Sequence, residues 1–540
     1  MKIHSETQAQ RSRFLRAFAF VGMVVTSMQI LTGPAAAQFD PSKVKAEPAA
    51  VALRYPDPSV PYQTPGLAAG RTDFASHQEV LDYLRNLAAK HPQITVELIG
   101  KSQQGRDIPL ILLSSKRGFQ NHKPTVLILG QQHGNEPAGG EAALALTEQL
   151  LQRESDLLAQ VNVLVMPRAN PDGAQNFVRA TANGLDVNRD HLLLQTPEGQ
   201  AIAATALRYR PQVVMDLHEF TVGDRWLAKF AGYAKYDALL QASTVGNMDQ
   251  NMAALALRDF VAAARTALER EQLSTFWYHT ASTDPLDKVV SMGGVQPDTG
   301  RNVFGLRHAV SILIETRGVG LGRAHFPRRV HSHVVASLAV IRAAAAQGES
   351  LVKAVADAGV ATAAQACRGD MVVQAKATPT KEPLQFVDAI TGSDRTELVE
   401  WRSALALNVV ATRARPCGYW LGPSQTAAIG KLEALGVKAL PLSQDRRAEV
   451  EVYRVLTEKG GQRMDARGAI ATSKAIREIT VALDKSTVVL PAGGWFVGLD
   501  QALGSIAAAA LEPDSQNSFV ANHVMDLDGK AFLRVLALGD

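Results

Sequence analysis

The sequence has almost no cysteine: Cys367 and Cys417, both in the C-terminal third, are the pair in 540 residues. In an oxidising compartment such a pair reads as one disulfide, and otherwise as two buried thiols. No dense Lys/Arg run interleaved with aromatic residues occurs, which argues against a nucleic-acid partner. After residue 37 no stretch is apolar for long enough to span a bilayer, which argues against a stable membrane span. No Gly-x-Ser-x-Gly elbow is present, so a serine hydrolase has little support. His218-Glu219 has no histidine four residues after His218, so it is not a His-Glu-x-x-His metalloprotease helix. Internal repeats are also lacking, and no sequence feature bears on oligomeric state.

What is present is a globular composition, 46% hydrophobic and 20% charged, in a chain long enough for two domains. Residues 1–37 read as a signal peptide, with a retained amphipathic anchor as the alternative. Arg11, Arg13 and Arg16 precede an apolar stretch from Ala17 to Leu31, and Ala35-Ala36-Ala37 supplies a small-x-small cleavage pattern. Lys2 and those arginines, against Glu6 alone, account for most of the formal charge of +4. The mature protein is therefore expected to be exported, periplasmic or secreted, and close to neutral.

Residues 38–70 carry prolines at 41, 48, 56, 58, 61 and 65 and read as an extended arm over the domain surface. Ser76-x-x-Glu79 is a capping box that opens a helix to about Lys90, with Val80, Leu81, Leu84 and Leu87 on one face. Apolar strand runs follow at Ile94–Ile99, Ile108–Leu113, Val126–Leu129, Val161–Met166, Gln212–Leu217 and Ala309–Ile314, with helical patterns at 138–153 and 198–209. Strands alternating with helices predict a mixed-sheet α/β/α sandwich over residues 71–350. A helical linker over 351–367 leads to a smaller, mainly β C-terminal domain, 368–540. Its short β-rich runs include Asp370–Ala375, Ala404–Ala411, Val450–Leu456, Ile479–Leu483 and Thr487–Leu490.

The chemistry gathers at the ends of three apolar runs. His133 and Glu136, three apart on a Gly-containing loop, can turn towards one point, and His218 ends a second run. Three such ligands with an open fourth position suit a catalytic rather than a structural zinc. Alone, each of these residues is more often ordinary loop or sheet-edge chemistry. Asp216, on the same side of its strand as His218, is placed to hold the other nitrogen of that ring. Glu315 ends the third run and suits a general base, or else a surface partner of Arg317. Arg179 and the pair Asn188-Arg189 suit a substrate carboxylate or a developing oxyanion. The alternative is that Arg189 pairs with Asp190 on a surface loop.

In order, Gly100-Lys-Ser-Gln-Gln-Gly-Arg106, His133-x-x-Glu136, Asn170-Pro-Asp-Gly173, Asn188-Arg189, His218 and Glu315-x-Arg317 resemble the zinc metallocarboxypeptidase family, the carboxypeptidase A-like enzymes. The resemblance spans about residues 70–345, and the region after 368 looks like the C-terminal extension of some bacterial members. It implies one zinc per chain, held by His133, Glu136 and His218, and a peptide substrate with a free C-terminal carboxylate. It further implies hydrolysis of the C-terminal peptide bond by a zinc-activated water, with Glu315 as general base and acid. Arg179 would polarise the scissile carbonyl, and Asn188 with Arg189 would hold the terminal carboxylate. Two positions depart from the family pattern. Asn135 stands where the family usually has arginine, and no tyrosine occurs between His279 and Glu315, Tyr278 being the nearest. Gly293, Gly294, Asp298 and Arg301 fall where the pocket loop belongs, with mixed signals. The competing readings are an N-acyl-amino-acid deacylase, similar to aspartoacylase and succinylglutamate desuccinylase, and a non-catalytic peptide-binding relative.

Overall fold

A computed structural model describes residues 39–115 and 118–539. The expected signal peptide, 1–37, lies outside the described residues. The central sheet has eight strands: β1 (Ile94–Lys101), β2 (Asp107–Leu113), β3 (Thr125–Gly130), β4 (Asn162–Met166), β5 (Val213–Thr221), β6 (Ala238–Ala242), β7 (Thr275–Trp277) and β8 (Val310–Val319). Their spatial order is β1-β2-β4-β3-β5-β8-β6-β7. The middle strands β4, β3, β5 and β8 are mutually parallel, flanked by antiparallel partners, so the sheet is mixed as expected.

Alternation along the middle strands explains why both faces are covered. Val126 and Ile128 of β3, with Val213 and Met215 of β5, face a core built with helices Pro137–Gln152 and Phe326–Gln347. Leu127, Leu129 and Val214 face the opposite way, onto Ile202 and Ala206 of helix Pro197–Tyr209 and Phe304 of helix Gly300–Leu306. A strand buried on both faces has no polar side to show, which is why these runs are continuously apolar. The capping box at Ser76 and Glu79 forms in both directions and opens helix His77–Lys90, whose buried face includes Val80, Leu81, Leu84 and Leu87. The proline-rich arm crosses the domain and is anchored at depth. Glu47 pairs with Arg317 at 2.8 Å, and Gly66 N–H donates to the buried Glu141 carboxylate at 2.7 Å.

Two expectations need adjustment. β5 and β8 do not stop at their apolar runs but continue past His218 and Glu315, to Thr221 and Val319. The short β-rich runs of the C-terminal region are pieces of long hairpins. Asp370–Asp388 pairs with Asp394–Ala414, and Arg446–Gly461 with Ile476–Leu490, which merges two of the runs read separately. Much of this second hairpin is exposed, so no apolar alternation marks it, and polar pairs such as Arg454–Asp484 at 2.7 Å lie across it.

The first hairpin joins a five-stranded sheet with Gly232–Ala234, Thr280–Ala281 and Val290–Ser291. The second belongs to a six-stranded sheet whose core includes Tyr419, Leu432 and Phe532 and also takes in Leu192, Leu193 and Val303. Cys367 and Cys417 are joined as a disulfide. Among the described residues no single helix is long and apolar enough to cross a membrane.

Candidate active site

β3 ends at Gly130, and the chain turns through Gln131, at positive φ, into a loop carrying His133 and ending at Glu136, the N-cap of helix Pro137–Gln152. That loop lies hard against Gly173. A Cβ on Gly134 would come within 1.8 Å of the Gly173 carbonyl carbon, so nothing larger than glycine fits. Asn170 holds the facing turn by accepting the Gly173 N–H at 2.8 Å, and it donates to Gln132 O at 3.2 Å. Asp172 accepts from Ser102 Oγ at 2.6 Å and from Arg106 at 2.7 Å. The Gly100–Arg106 loop and the Asn170–Gly173 turn thus brace the His133 loop together. His218 comes from β5, beside β3, and the β5–β8 register makes Glu315 its direct cross-strand neighbour.

His133, Glu136 and His218 are all buried, and their ligand atoms can hold one metal ion. His133 Nδ1 lies 3.0 Å from Glu136 Oε1, His218 Nδ1 3.0 Å from Glu136 Oε2, and the two Nδ1 atoms 3.0 Å from each other. Each ring's other nitrogen has its own carboxylate, Asp186 Oδ1 at 2.9 Å from His133 Nε2 and Asp216 Oδ1 at 2.8 Å from His218 Nε2. With both Nε2 atoms donating outward, two nitrogen lone pairs and a carboxylate face one another in a buried space. Such a set needs a positive charge to hold it together, either a proton or a metal ion. Two imidazoles, one carboxylate and a carboxylate behind each ring make a donor set that fits zinc, whose bonds to such atoms are roughly 2.0–2.2 Å.

The electrostatics of the metal-free chain are consistent with that need. Burial alone would raise the Glu136 carboxyl, but His133 and then His218 hold it well below the usual range. Burial would lower His218, yet Asp216 and Glu136 carry it to about 10. Glu315 moves the other way. Burial, and then the charge of Glu136, push it up to about 7.

A cavity of about 310 Å³ opens beside the triad, and its wall includes His133, Asn188, Arg189, Tyr278 and Glu315. Asn188 Oδ1 accepts the Gly300 N–H at 2.8 Å, which fixes the amide orientation, and Nδ2 lies 3.1 Å from His218 Nε2. Because that ring nitrogen already gives its proton to Asp216, the amide hydrogens of Asn188 are not used there. Arg189 does not pair with Asp190. Its Nη2 and Nε donate to Asp465 Oδ2 at 2.5 and 3.2 Å, and Nη1 donates to Asn188 O at 2.6 Å. Glu315 does not pair with Arg317, which is engaged by Glu47. Arg179 stands beside the triad rather than on the cavity wall, with Nη1 3.1 Å from Glu136 Oε1 and Nη2 2.9 Å from Asp186 Oδ2.

Several residues of the site escaped the sequence reading. Asp186 lies between Arg179 and Asn188, but nothing local separates it from the neighbouring Asp190. Asp465 and Arg467 come from the turn between the last two long strands, 150 and 152 residues after Glu315 in the chain. No local signal marks them.

Residues 80–235 match the zinc carboxypeptidase family. Carboxypeptidase 2 of Trichophyton equinum is 28% identical over 467 residues, covering 84% of this chain and 85% of the relative. Carboxypeptidase SOL1 of Arabidopsis thaliana is 35% identical over 120 residues, 19% of this chain and 24% of the relative. Among solved structures, carboxypeptidase A from Helicoverpa armigera is 19% identical over 50% of this chain and 74% of its own, with a TM-score of 0.39. The chain thus carries a zinc carboxypeptidase match over residues 80–235 and is similar to carboxypeptidases along most of its length.

Proposed function

We propose that this protein is an exported, zinc-dependent carboxypeptidase that removes the C-terminal residue of peptides, with one zinc held by His133, Glu136 and His218. The observation that carries this reading is the register of β5 and β8. It sets the carboxylate of Glu315 beside the metal-binding triad, on the wall of the same cavity as Asn188 and Arg189. Zinc bound there supplies Lewis-acid polarisation to the nucleophile and the scissile carbonyl. Glu315, on the cavity wall beside the triad, takes a proton from the attacking water and returns it to the leaving amine as the C–N bond breaks. Asp186 and Asp216 fix the two imidazoles with their Nδ1 atoms inward. Asn188 offers its unused amide hydrogens, and Arg189 its charge, to the terminal carboxylate. Arg179 is tied to Glu136 and Asp186, and would reach a carbonyl only at the near edge of the triad.

The test uses peptide pairs that differ only in a free or amidated C-terminus, with metal analysis of the same protein. A desolvated cationic site deprived of its anion loses about 2–5 kcal/mol of binding, so amides should be cleaved slowly or not at all. Equal cleavage of both by the zinc-loaded protein would overturn the assignment.

A further inference from the structure

The cavity holds more positive charge than one terminal carboxylate needs. Besides Arg189, its wall carries Arg301, Lys376, Arg402 and Arg467. The acidic residues on the same wall are committed elsewhere. Asp465 is engaged by Arg189 at 2.5 Å, Asp298 by Arg463 at 3.0 Å, and Glu315 is the proposed base. Among the described residues, none of those four further cations has a carboxylate at ion-pair distance.

Arg301 is the telling member of this group. It sits in the first turn of helix Gly300–Leu306 and is only 3% exposed. Its hydrogen bonds go to neutral acceptors, Gly294 O at 2.9 Å and Asn302 Oδ1 at 3.4 Å. Burying a guanidinium against neutral groups is costly unless an anion joins it. The burial already lowers its pKa to about 10, which still leaves it charged at neutral pH. Arg467 reaches the same cavity from the small turn between Met464–Asp465 and Gly468–Ala469, and its charge acts on Tyr278 and Glu315. A basic terminal residue would meet like charge here, and an apolar one would leave Arg301 buried without an anion.

We propose that the cavity selects peptides ending in an acidic residue, glutamate or aspartate, with Arg301 receiving the side-chain carboxylate and Arg467, from the C-terminal β region, adding a second positive charge. This rests on the carboxypeptidase reading above.

The test compares peptides that end in Glu, Gln, Leu or Lys and are otherwise identical. Glu and Gln have the same shape, so their ratio isolates the charge. Wild-type kcat/KM should favour Glu over Gln by about 10- to 100-fold, the range of a buried charge-assisted hydrogen bond. Arg301→Gln should bring the ratio close to one, and Arg467→Gln should lower it partially. A wild-type enzyme that cleaves Gln or Leu peptides as well as Glu peptides would overturn the inference while leaving the carboxypeptidase reading in place. So would an Arg301→Gln variant that slows Glu and Gln peptides equally. Failure to release any terminal residue from all four peptides would instead count against the reading on which this one rests. The wild-type comparison decides the matter even if substitution at the buried Arg301 prevents folding.

Discussion

In the proposed role Glu315 faces two demands, since a base must be ionised yet this carboxyl sits buried beside a second carboxylate. Burial and the charge of Glu136 raise its pKa, and the sign of that shift makes it a willing proton acceptor near neutrality. Glu315→Gln keeps the shape and removes the charge. We expect the variant to fold and to keep its metal while turnover falls at least ~10²-fold, the scale of one general acid–base group. Near-normal turnover in a metal-replete variant would remove Glu315 from the mechanism. At this scale much of the site was legible in the sequence, because His133, Glu136 and His218 each follow an apolar run that can only be a buried strand. Asp216 was legible by strand alternation alone. Asp186 was not, since its role depends on a loop whose path no periodicity describes.

Elements decide which of these residues meet. Parallel pairing of β3, β5 and β8 gathers their C-terminal ends, and the turn between the long strands Arg446–Gly461 and Ile476–Leu490 closes over them with Asp465 and Arg467. Long-range contact of that kind leaves no mark on a local pattern, and the exposed hairpin that delivers it reads as short fragments. The Asp465–Arg189 pair is nearly buried, so removing one partner strands the other charge. Asp465→Asn should lower the stability of the ligand-free protein by a few kcal/mol, about 3 being the scale for a broken buried pair. A free amino acid or peptide carboxylate should then raise the melting temperature of the variant more than that of the wild type, because it supplies the missing anion. An identical ligand-induced shift in both proteins would mean that Arg189 does not meet the substrate carboxylate.

For the whole molecule, the deciding feature is a set of histidines kept neutral inside the fold. Burial, foremost, lowers His77, His191 and His279 each to about 4 and His333 to about 3, against an ordinary value of 6.5. Because these folded-state values are depressed, the unfolded chain takes up protons that the native chain excludes as pH falls from 6.5 towards 4. Native stability must therefore decline with falling pH across that window, by up to about 3 kcal/mol for a group shifted this far. His279 is the cleanest probe. Its ring packs against Trp226, Phe276 and Trp401, away from the triad, and Nδ1 donates to Trp277 O at 2.8 Å. His279→Phe keeps an aromatic ring there. The lost hydrogen bond costs about 1 kcal/mol at every pH, so it shifts the stability curve without changing its slope. The metal-free protein should be used, since metal ligands also titrate. Thermal unfolding of the wild type should show a melting temperature that drops from pH 7 to pH 4.5. In the variant the proton uptake on unfolding near pH 5 should be smaller by about one. Equal uptake in the two proteins would show that His279 is already protonated in the native fold.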